Sequence, residues 1–202
     1  MVSLARTSKR SVLRFRVPKV VLEATDIASR YEACRHLLLP LVERKSTGGP
    51  AIDRAPRYGG IAYAAHGGSP AADIRQWRFR TCHPSFAASY LETWIPTDRA
   101  LRHYFLRSAS LAIYRALPSR HGEAEFVALH CEPNEPSTAS GSAYIYKRSP
   151  HLHIEAAEFP IPKSHISLAH PFLDTILQSE ASLFVVLRLA IEMLRDEVLE
   201  RA

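Results

Sequence analysis

Cysteine is scarce and scattered in this chain of 202 residues: Cys34, Cys82 and Cys131 are its three, and none forms a C-x-x-C pair. That spacing excludes a disulfide framework and a cysteine-bound structural zinc, and it fits a reducing compartment, so a cytoplasmic protein is expected. Long apolar runs are also missing. The most apolar stretch, Ser182–Leu194, is broken by Arg188 and Glu192, too short and too charged to cross a membrane as a helix. The chain does not open on the apolar core of a signal peptide. No G-x-x-x-x-G-K-[ST] or G-x-G-x-x-G loop is present, which removes the usual phosphate cradles, and no internal repeat is visible. Acidic residues are absent from the first 22 positions, where six basic ones fall: Arg6, Lys9, Arg10, Arg14, Arg16 and Lys19.

The composition that remains, 47% hydrophobic and 23% charged, is that of a globular domain. One core is expected over residues 1–202, with residues 1–11 as a flexible basic arm. The net charge of +6 attracts anionic partners without naming one.

Periodicity divides the chain. Leu13, Phe15 and Val17 alternate with Arg14 and Arg16, a strand pattern running to about Leu22. Thr25 and Asp26 precede a helix whose apolar face is Ile27, Tyr31, Cys34, Leu38 and Leu41. The glycines and prolines between 46 and 72 read as a long loop. Ile74–Arg80 reads as a strand with Trp77 and Phe79 on one face and Arg78 and Arg80 on the other. Phe86–Trp94 and Thr97–Arg107 read as helices, and Leu111–Leu117 fits strand or helix. Three strands follow, Glu125–Cys131, Tyr144–Lys147 with its continuation His151–Ile154, and Ser164–Leu168. The last element is a helix capped by Ser179 or Ser182, with Leu183, Leu187, Ile191, Leu194 and Val198 on one face. The expected fold is α+β: a largely antiparallel sheet of five or six strands, with helices Thr25–Leu41 and Ser182–Leu199 packed on one face.

The chemistry concentrates in histidines. Strand alternation places His151 and His153 on one face and Leu152 and Ile154 on the other; His165 and Ser167 oppose Ile166 and Leu168; His130 opposes Leu129 and Cys131. If the aliphatic faces share the core, His130, His151, His153, His165 and Ser167 emerge together. Histidines at i and i+2 on a strand bite one metal ion, and a third from a neighbouring strand leaves a position open for water, as in catalytic zinc sites. The expected ligands are His151, His153 and His165, with Glu155 or Glu158 as fourth ligand or general base. A metal-free alternative uses a histidine pair for acid–base work at a phosphodiester, with Ser167 holding the phosphate and the His83-Pro84-Ser85 segment as distant partner. Lys147 and Arg148 beside His151, and Arg78 with Arg80, are candidate anion-binding residues.

Two other constellations rank lower. Arg30 and His36 are six residues apart on a helix, a spacing that brings side chains within about a turn of one another. Cys131 beside His130 suggests a nucleophile pair, which strand alternation opposes. The expectation is a small hydrolase, zinc-dependent or metal-free, acting on a phosphate-bearing substrate such as a nucleotide or nucleic acid. The alternative is a non-catalytic adaptor that meets nucleic acid, nucleotide or an acidic protein through the basic arm and the Arg78/Arg80 strand.

Overall fold

A computed structural model describes residues 20–42, 50–57, 60–68, 71–97, 99–116, 123–133, 151–154, 164–167 and 179–201. Within them the chain forms one antiparallel sheet of nine strands, more than the five or six expected, together with two α-helices, so the class is α+β. The strands are β1 (Val21–Glu23), β2 (Ala51–Arg57), β3 (Gly60–His66), β4 (Phe79–Arg80), β5 (Phe86–Pro96), β6 (His103–Ala116), β7 (Glu123–Cys131), β8 (His151–Ile154) and β9 (Ser164–Ser167). The main path is β2-β3-β5-β6-β7-β8-β9; β1 pairs with β6 and β4 with β5. The helices are α1 (Ile27–Leu38), which continues as a single 3-10 turn over Leu39–Leu41, and α2 (Glu180–Leu194).

Three expectations are corrected. The stretch expected as a loop, 46–72, holds the hairpin of β2 and β3. Its Pro56 sits in β2, an edge strand, where a missing N–H costs no ladder bond. Gly60 is there for clearance, because a Cβ at that position would run into the Trp94 carbonyl. Of the two segments expected as helices, Phe86–Trp94 lies in β5, and Thr97–Arg107 runs into β6 from His103; these are the two longest strands. Their alternation is disguised: Glu92 occupies a buried position in β5, and the register of β5 with β6 slips so that Trp94 faces Leu106 and Arg107 is skipped. The strand expected over Ile74–Arg80 shrinks to Phe79–Arg80 behind a 3-10 turn, which Asp73 caps by accepting from the Arg75 N–H.

Other expectations hold. Ser179 and Ser182 cap α2 reciprocally: the Ser182 N–H donates to the Ser179 hydroxyl at 3.1 Å and the Ser179 N–H to the Ser182 hydroxyl at 3.0 Å. Leu183, Leu187, Ile191 and Leu194 on α2 are buried as the periodicity requires. The expected basic arm, 1–11, lies outside the described residues.

Strand register sorts side chains onto two faces. On one, Tyr90 pairs with Leu111, Leu111 with Leu129 and Leu129 with Leu152, and these join residues of α1 and α2 in a single apolar cluster. Buried in this apolar surface is a charge network. The Arg30 guanidinium, on α1, donates to both carboxylate oxygens of Glu92 on β5, to Oε2 at 3.1 Å, and donates again to Glu180 of α2 at 2.6 Å. Tyr90 Oη and Trp94 Nε1 also donate to Glu92, the latter at 2.9 Å. Burial pushes the Glu92 carboxyl up, but the Arg30 charge and these hydrogen bonds outweigh it and hold the group below the ordinary carboxylate range. Burial opposes the Arg30 charge as well, and Glu92 reverses that, so both remain ionised. The network ties α1, the sheet and the start of α2 together.

Candidate metal centre

The opposite face is built from small residues and histidines. Leu91, Ser110, His130, His151 and Ser167 form one row of paired positions across β5, β6, β7, β8 and β9. Ser89, Ala112, Ala128, His153 and His165 form the next. The register that strand alternation requires for His130, His151 and His153 is therefore present, with the backbone of His165 opposite His153 and that of Ser167 opposite His151. Strands about 4.8 Å apart bring side chains of adjacent paired positions into contact. The rings of His130 and His153 stack with centroids 4.2 Å apart; His151 lies 5.0 Å from His153 and 5.7 Å from His130. His151 is buried, and the Nε2 atoms of His130 and His153 are shielded from solvent.

A carboxylate completes the group. The pairing of β6 with β7 jumps from Ile113–Val127 to Tyr114–Glu125, leaving Phe126 as an extra residue. Simple alternation would put Glu125 with Val127 and Leu129 on the apolar face. The bulge pairs it instead with Tyr114, on the histidine face. One ligand atom each from Glu125, His130 and His153 then lies within 4.8 Å of the other two, and the group could hold a metal ion. For ligands about 2.0–2.2 Å from a zinc ion, closure requires small side-chain rotations that unstack the two rings.

Of the expected ligands, His153 falls in this group and the His151 ring lies beside it, while the side chains of His165 and Ser167 lie outside what the structure describes. Of the expected acids, Glu155 and Glu158 lie outside the described residues, as do Lys147 and Arg148. Alternation could find His130, but nothing in the sequence marks the bulge that delivers Glu125.

Arg80, exposed, is in register with Ala87, which pairs with Tyr114, so it belongs to the histidine face. The guanidinium of Arg78 lies 3.8 Å over the Tyr114 ring and donates to the Trp77 carbonyl at 2.8 Å. Tyr114 is the residue paired with Glu125, so the arginines flank the ligand group along one row.

The two lower-ranked constellations come apart. Arg30 is buried in its ion pair with Glu92 while His36 is exposed, so they do not form a site. Burial pushes the Cys131 thiol up to about 12, far from a thiolate nucleophile at neutral pH. His83 and Ser85 lie at the start of β5, in a cleft lined by residues of the chain's C-terminus.

No known protein family, curated protein or solved structure matches the chain. Among the described residues, no helix is long and apolar enough to cross a membrane.

Proposed function

We propose that the histidine face is the active site of a zinc-dependent hydrolase of phosphate-bearing substrates, with Glu125, His130 and His153 as ligands. The observation that carries this reading is the convergence of two imidazoles and a carboxylate within 4.8 Å. Two histidines and a glutamate are a donor set suited to zinc, and three protein ligands leave a position for water. Zinc in such a site supplies a hydroxide nucleophile near neutral pH.

The chain's own residues do the rest. Arg78 and Arg80, on the flank of the group, neutralise the non-bridging phosphate oxygens as negative charge builds there. His151, whose ring is 5.0 Å from that of His153, is placed to pass a proton to the leaving oxygen.

The test is hydrolysis of bis(p-nitrophenyl) phosphate by the purified protein. Turnover is expected to vanish on chelation, return with zinc, and fall by about 100-fold or more in His153→Ala, in line with loss of a principal electrostatic contributor. Turnover indifferent to chelation would overturn the metal reading. Zinc binding without turnover on phosphodiesters would leave a binding face, as in the adaptor alternative.

A further inference from the structure

A second site lies away from the histidine face. A cleft of about 340 Å³ opens where the start of β5, the end of β6 and the beginning of β7 meet the C-terminal turn that follows α2. The volume suits a small ligand. Its apolar wall is aromatic: Phe86 and Phe126 pack with ring centroids 5.9 Å apart, and His83 meets Phe86 edge-on at 5.1 Å. Its polar wall is cationic. Arg115 and Arg201 both line it, against the single carboxylate of Glu197, which pairs with Arg201 at 2.7 Å. The cleft therefore carries a net positive charge.

Two local structures present donors to this space. His83 Nδ1 accepts from the Ser85 N–H at 3.2 Å, so the neutral ring carries its proton on Nε2 and can donate from there. Ser85 lines the same cleft. At the other wall the helix widens into a π-turn over Arg195–Leu199, closed by the Glu200 N–H donating to the Arg195 carbonyl at 2.9 Å. Such turns are strained relative to an α-helix and recur at functional sites. This one ends immediately before Arg201 and contributes Glu197 and Val198 to the lining.

We infer that this cleft binds an aromatic ring carrying a phosphate, a ligand of nucleoside monophosphate size. The ring stacks on Phe86 and Phe126, and the phosphate is held by Arg115 and Arg201 with hydrogen bonds from His83 and Ser85. This binding is independent of any metal on the histidine face.

The test is calorimetric titration of the metal-free full chain with adenosine monophosphate, with inorganic phosphate and adenosine as separate controls. The monophosphate is expected to bind at least tenfold more tightly than either fragment. Arg115→Ala and Arg201→Ala, both at exposed positions, are expected to weaken it at least tenfold each, and Phe126→Leu by several-fold. His130→Ala is expected to leave the affinity unchanged, which separates this cleft from the histidine face. Equal binding of inorganic phosphate would overturn the aromatic half of the inference. Loss of binding in His130→Ala but not in Arg115→Ala would overturn the location.

Discussion

The two faces of one sheet carry polar groups in opposite ways. On the Glu92 face, the carboxylate oxygens converge on hydrogens already supplied by Arg30, Tyr90 and Trp94, and the charges cancel inside the protein. On the histidine face, the ligand atoms of Glu125, His130 and His153 converge on one another. The first arrangement is closed, so its role is to fix how α1, the sheet and α2 meet. The second is a group that could hold a metal ion. Burial alone would rank them the other way, since Arg30 and Glu92 are the more deeply buried.

That contrast can be broken most forcefully at Glu92. Truncation in Glu92→Ala leaves Arg30 charged and buried, and is expected to cost about 3–5 kcal/mol of folding stability. Urea denaturation measures it; a loss below about 1 kcal/mol would mean that the network does not hold the elements together. The pair also makes stability depend on pH. The folded Glu92 carboxyl lies below its ordinary value of 4.5, so its contribution is complete above that pH and is lost as pH falls through the folded value. Urea midpoints measured between pH 3 and 7 should therefore decline on the acid side, and less steeply in Glu92→Gln.

Smaller effects sharpen the same contrast. Tyr90→Phe removes one charge-assisted hydrogen bond to Glu92 and is expected to cost about 1.5–3 kcal/mol. Ser179→Ala removes the α2 cap, costing about 1 kcal/mol in thermal or chemical unfolding. On the histidine face, His153→Ala in the metal-free protein should change stability least, by less than about 1 kcal/mol, while removing metal affinity. A stability loss as large as that at Glu92 would make the histidines structural as well.

The parts of the fold legible in the sequence are those where alternation runs undisturbed. Leu152 and Ile154 against His151 and His153 announce β8, and the Leu183/Leu187/Ile191/Leu194 spacing announces α2. The central strands were hidden by features that hold the protein together. Glu92 in a buried slot breaks the apolar alternation of β5, and the skipped Arg107 shifts its phase in β6. Pro56 and Gly60 give the β2–β3 hairpin the composition of a loop, because an edge strand tolerates the first and a close backbone approach demands the second. The candidate site was half legible for the same reason. His130, His151 and His153 follow from simple register, whereas Glu125 reaches them only because the bulge at Phe126 turns it to the other face. A carboxylate five residues before a histidine on a strand offers no pattern that predicts this.

The central claim is that Glu125, His130 and His153 form one metal site, and zinc titration of the purified protein by calorimetry tests it most directly. The account predicts one bound ion per chain, with affinity reduced by more than about 100-fold in Glu125→Ala, His130→Ala and His153→Ala, beyond what outer-shell partners usually contribute. Affinity that survives Glu125→Ala but is lost in His165→Ala would contradict it and return the site to the three histidines His151, His153 and His165.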